Sequence, residues 1–242
     1  MAASRDRSDA VAPASPDTPA SVFPDLVLAE FLAALLCSVA LLAWSLLQDA
    51  PLLAVANPTT TENPAKAPWY FVGLQELLVY FDPWIAGVVL PTLIIVGLMM
   101  IPYLDTSRDA VGRYTWRSRR LAVRHFLFGF GLWWALIAVG QLLRGPNWQF
   151  YLPWQDWGVP RNAAAQLWSF PWWLGLPTLL GYFGGGFLLL RRRWPGVRAG
   201  LGPTRWAIVA TLVLLLYAVP IKILLRLVLG TQYVLVTPWF NV

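Results

Sequence analysis

Five separate stretches, 26–47, 84–104, 121–143, 168–190 and 205–229, run for about twenty residues each with few charges. An α-helix needs roughly 20 apolar residues to cross about 30 Å of hydrocarbon, and it closes its own backbone hydrogen bonds on the way. The pattern predicts an all-α, polytopic membrane protein with about five transmembrane helices. Composition agrees, since 58% of the 242 residues are hydrophobic and 12% are charged, too few charges for a water-soluble surface. Glu30 interrupts the first stretch, Pro91 the second and Pro177 the fourth. Pro220, Lys222 and Arg226 fall in the fifth, where a kink and an amphipathic end are expected.

The net charge of +6 would raise nucleic-acid binding in a soluble chain, but here the cations flank apolar runs and act as topology signals. Counted on alternate sides of five spans, thirteen Lys and Arg fall with the amino terminus and five with the carboxyl terminus. Basic residues favour the cytoplasmic face. The amino terminus is therefore expected inside and the carboxyl terminus outside, with the arginines from Arg108 to Arg124 anchoring anionic lipid. Residues 1–24, rich in Ala, Pro, Ser and Asp, read as a mobile cytoplasmic tail. The single cysteine, Cys37, excludes an internal disulfide and a covalent c-type haem.

Between the first two spans lies a segment with its own pattern. Asn63-Pro-Ala-Lys-Ala-Pro68 is extended and Pro-rich, and a short interfacial helix over 67–82 follows, stopped by Pro83. Trp69, Gly73, Glu76 and Tyr80 share one stripe of that helix, with Tyr70, Leu74, Leu77 and Phe81 beside it. A helix with an apolar side and one embedded carboxylate suits the outer interface beside a lipid-soluble substrate.

These residues resemble a known family. Ala67-Pro-Trp-Tyr-Phe71, Leu74-Gln-Glu-Leu77 and the span from Trp84 to Ile101-Pro-Tyr-Leu-Asp105 look like the carboxyl-terminal half of cytochrome b, or the split-chain subunit IV, in quinol:cytochrome c reductases. Arg144-Gly-Pro-Asn-Trp148 and Tyr233-Val-Leu-Val-Thr-Pro-Trp-Phe-Asn241 resemble bacterial members. The resemblance implies that residues 25–143 form a three-helix core. Residues 144–242 would then add an outer loop and two peripheral helices. It also implies that the helix borders an outer quinol-oxidation site, with Pro68, Trp69, Tyr70, Phe71, Gly73 and Tyr80 contacting a quinol of unspecified type. The family motif there is Pro-Glu-Trp-Tyr. Trp69 and Tyr70 match its last two positions, while Ala67 and Pro68 replace the first two.

The motif glutamate is thus absent, and quinol oxidation releases two protons. Glu76 is the nearest following carboxylate, and burial would raise its pKa toward a useful range. Glu76 and Tyr70 are the expected catalytic pair, with Glu62 and Asp82 as alternative proton acceptors. Bifurcated oxidation sends one electron to a Rieske iron-sulfur protein, on toward a c-type cytochrome, and the other through two b haems. Those haems need four axial histidines. The one histidine here, His125, cannot supply them, so a haem-bearing cytochrome b amino-terminal-type subunit is the expected partner, and no metal is expected on this chain. The chain would be an enzyme subunit and not catalytic alone.

Plainer readings stand beside these. Trp69, Tyr70 and Phe71 fit an interfacial aromatic belt, and Lys222 and Arg226 fit snorkelling toward the outer headgroups. Gly184-Gly-Gly186 fits close helix packing. A membrane transporter or a structural assembly subunit is the rival class, although no paired repeat is evident. The lost glutamate also fits a degenerate paralogue.

Overall fold

A computed structural model describes residues 22–49, 55–105, 116–158 and 167–242. The tail expectation falls almost wholly outside these, as do Arg108, Arg113 and Arg161. The described residues are helical with no strands and divide into two compact units, residues 1–59 and 60–242.

The first unit contains α1 (Val27–Leu47), preceded by a π-helical turn, Val22–Leu26. Ser38 Oγ turns back to the Ala34 carbonyl at 2.8 Å, so this polar side chain is satisfied within the helix. The second unit contains α2 (Trp69–Tyr80), α3 (Leu90–Leu104, after a π-helical turn Ile85–Val89), α4 (Arg120–Leu142), α5 (Trp172–Arg193) and α6 (Pro195–Leu229). All of these except α2 are long and apolar enough, with their leading turns, to cross a membrane, as is the helix of the first unit. The chain is a multi-pass membrane protein.

Two boundaries differ from the expectation. The fourth span starts at Trp172 because Pro171 is extended, and Trp168 to Phe170 pair instead with the chain after α6. Trp168 N–H donates to the Gly230 carbonyl at 3.1 Å and Phe170 N–H to the Tyr233 carbonyl at 2.9 Å. The final helix begins ten residues early, at Pro195, and its break lies at Gly202 (φ 74°) rather than at Pro220. It ends on Gly230 (φ 66°), whose left-handed backbone lets its N–H reach the Arg226 carbonyl.

Within the second unit, α6 packs against α2, α3, α4 and α5 and buries Trp206, Ala210, Val213 and Leu214. The last helix is therefore central to this unit, not peripheral. Leu77 and Tyr80 of α2, Ala86 and Leu136 form an apolar core closed by Leu90, Trp133, Val219 and Ile223. A glycine permits one close crossing: Gly186 of α5 faces the Leu214 side chain, whereas Gly184 and Gly185 face open space.

Candidate functional site

The site grows from α2. Pro68 at its N-cap accepts the Phe71 and Val72 N–H groups at 2.7 and 3.2 Å. The face turned inward carries Val72, Gly73, Glu76, Leu77 and Tyr80. Glu76 is completely buried, so its charge needs partners. Arg144, at the end of α4 and also buried, supplies them. Its Nη2 lies 2.6 Å from Oε1 and its Nε 2.9 Å from Oε2, a two-pronged, charge-assisted pair. Tyr80 Oη donates to Oε1 at 2.7 Å and Trp148 Nε1 to Oε2 at 3.0 Å. Burial first, and then the Glu76 charge beside it, push the Tyr80 phenol above its ordinary value. Tyr80 therefore stays a donor.

The loop after α4 is shaped to hold this pair. Tyr151 N–H donates to the Leu143 carbonyl at 2.9 Å and Gly145 N–H to the Gln149 carbonyl at 3.1 Å, which brings Phe150 under the guanidinium, 3.7 Å from ring centre to Cζ. At its tip Asn147 (φ 56°) and Trp148 (φ 52°) are both left-handed. Asn tolerates that region, but for Trp it costs on the order of 1 kcal/mol or more. The Asn63 side chain offsets the strain by bonding Asn147 twice, at 2.6 and 2.7 Å. Arg144 Nη1 also donates to the Trp148 carbonyl at 2.8 Å.

Two glycines let α2 approach α4 closely: a Cβ on Gly140 would collide with the Val72 side chain, and one on Gly73 would press on Ile137 at 3.2 Å. Gln75 ties down the Pro-rich stretch before α2, accepting from Ala67 N–H and donating to the Ala65 carbonyl, each at 2.9 Å.

Residues 55–151, covering both sides of this pair, match the family model described as cytochrome b(C-terminal)/b6/petD. This stretch belongs to the cytochrome b carboxyl-terminal family. No solved structure matches the chain. The cytochrome b-type stretch runs from the Pro-rich approach to α2 through Tyr151, so α5, α6 and the terminal loop lie beyond it. Members of the family belong to cytochrome bc-type redox complexes.

The residues expected at the site divide into two groups. Gly73, Glu76 and Tyr80 are buried, whereas Pro68, Trp69, Tyr70 and Phe71, at the start of α2, are exposed. Trp69 continues the buried stripe toward α4 but lies exposed at the start of α2, where its ring stacks on Trp134 at 5.9 Å. Tyr70 packs between Trp69 and Phe71, and Glu76 bonds elsewhere. Of the three candidate acids, Glu62 is exposed. Asp82 caps the start of the next helix through Trp84 N–H and accepts from Asn241 at 3.2 Å.

Arg144, Trp148 and Lys222 were not among the expected site residues. A buried acid demands a counter-ion, and Arg144 within Arg144-Gly-Pro-Asn-Trp148 was the available signal. Lys222 does not snorkel outward: it is buried and donates to the Tyr80 and Gln232 carbonyls at 2.9 and 2.7 Å. His125 Nδ1 lies 2.7 Å from the Leu121 carbonyl, and its ring is flanked by Trp194 and Tyr217.

Proposed function

We propose that the chain forms one wall of the outer quinol-oxidation site of a quinol:cytochrome c oxidoreductase. A haem-bearing cytochrome b amino-terminal-type subunit and a Rieske protein would take the two electrons of each quinol, and a c-type cytochrome would follow the Rieske protein. The carrying observation is a buried Glu76–Arg144 pair on a helix whose first turn exposes Trp69, Tyr70 and Phe71, inside the family-matched stretch. Those rings offer flat surfaces to a hydroquinone. The buried cluster holds α2 at a fixed distance from α4. The charge count favours the amino terminus in the cytoplasm and this site on the outer side of a bacterial inner membrane.

Glu76 is our candidate proton acceptor, with the Tyr80 hydroxyl already donating to it. Both of its oxygens are engaged by Arg144, so accepting a proton requires that pair to loosen. A relay role predicts that Glu76→Gln, in an assembly that still folds, lowers quinol oxidation and changes its pH profile. A profile unchanged in shape would leave Glu76 as the counter-ion of Arg144 only. For the function as a whole, the decisive measurement is the optical spectrum and quinol:cytochrome c activity of the purified native assembly. Co-purifying b-type haem with inhibitor-sensitive turnover is expected, and its absence would favour the transporter or assembly-subunit class.

A further inference from the structure

The second unit has a strongly basic end that the quinol reading does not use. From residue 157 to 242 the sequence contains no Asp or Glu, yet Arg191, Arg192, Arg193, Arg198 and Arg205 fall within fifteen residues. The first three complement the carboxyl end of α5. Arg191 and Arg198 do something more, because they line one crevice of about 260 Å³ together with Phe187, Leu188, Pro203 and Trp206. A neighbouring space of about 470 Å³ shares Arg198 and Pro203 with it. The break at Gly202 separates the turn bearing Arg198 from the span that begins at Pro203, and so forms this recess between the two helices. No hydrogen bond or ion pair joins either guanidinium to another described residue.

Two unpaired cations at the mouth of an apolar crevice, at the end of two membrane spans, match a molecule that is anionic at one end and hydrocarbon at the other. We infer that Arg191 and Arg198 bind the phosphate of an anionic phospholipid, with an acyl chain against Phe187, Leu188 and Trp206. The counter-charge cannot come from the local sequence, and the bilayer supplies it at this depth. The planar, always-charged guanidinium suits a phosphate oxygen pair. The site lies outside the family-matched stretch, so it is a property of the added helices and is independent of the quinol reading.

The test uses the purified assembly, delipidated and returned to phosphatidylcholine vesicles with or without phosphatidylglycerol, or with inorganic phosphate in place of the latter. Retained lipid is read by mass spectrometry and stability by thermal unfolding. Each arginine near anionic lipid contributes on the order of 1 kcal/mol, so phosphatidylglycerol is expected to be retained over phosphatidylcholine by roughly tenfold or more, and to raise the unfolding temperature. Arg191→Gln with Arg198→Gln should abolish both effects, while lowering the unfolding temperature in phosphatidylcholine no more than Arg192→Gln, which removes an equivalent charge from the end of α5. Arg192→Gln, which removes a charge that does not line the crevice, should keep them. No preference for phosphatidylglycerol, an equal loss in the Arg192 variant, or full replacement by inorganic phosphate would each overturn the inference.

Discussion

At the scale of single residues, the Glu76–Arg144 pair decides most. Removing one member of a buried ion pair leaves the other charged and unsolvated, which costs about 3–5 kcal/mol. Glu76→Gln and Arg144→Gln are each expected to destabilise the assembly by that order, and the double variant by less than the sum of the two. Thermal unfolding of the four-member cycle reads the coupling directly, and strict additivity would show that the pair contributes no net interaction. Tyr80→Phe is a gentler probe. The native fold raises the phenol above its ordinary value of 10.0 by burial and then by Glu76. The fold favours the protonated form, so this contribution is complete below pH about 10 and is lost as pH rises through the folded value. The wild-type assembly should therefore lose stability faster than Tyr80→Phe above pH about 10, with the two curves parallel below it.

At the scale of elements, α2 is placed by its crossing with α4, and that crossing depends on Gly140. Even a methyl group there meets the Val72 side chain, with the Val72 carbonyl at 3.4 Å and Glu76 Cβ at 3.7 Å behind it. Val72 is β-branched and stiff in a helix, so the helices must separate. Gly140→Ala should cost about 1–3 kcal/mol and weaken quinol oxidation by moving Glu76 off Arg144. An assembly with wild-type unfolding and turnover would refute this account of the crossing. The helices themselves were legible, because a run of about twenty apolar residues allows few other structures. The interfacial helix was legible too, from Pro68, the stop at Pro83 and the spacing of Glu76 and Tyr80. What escaped was long-range: Arg144 meets Glu76 across 68 positions, and Trp168 pairs with the chain beyond α6. Periodicity records which face of a helix is apolar, not which distant residue arrives there.

At the scale of the whole molecule, the open question is what the chain beyond the cytochrome b-type stretch does for the site. Two of its bonds end on α2 or just after it. Lys222 in α6 donates to the Tyr80 carbonyl, one of the last carbonyls of α2, and to Gln232 in the terminal loop; Asn241 donates to Asp82. A helix end leaves its final carbonyls without intrahelical partners, and a cation there is favoured by the helix dipole. Lys222 therefore joins α2, α6 and the terminal loop at one atom. Lys222→Met keeps the length and apolar stem of the side chain but strands two carbonyls. Each buried, unsatisfied group costs about 1–3 kcal/mol, so a fall of a few kcal/mol in stability is expected. Because the Tyr80 carbonyl lies one helical turn beyond Glu76, turnover should fall with it, and Lys222→Arg, which retains donors, should recover part of both. If Lys222→Met unfolded as wild type while turnover also held, α6 would be a neighbour of the site and not a support for it.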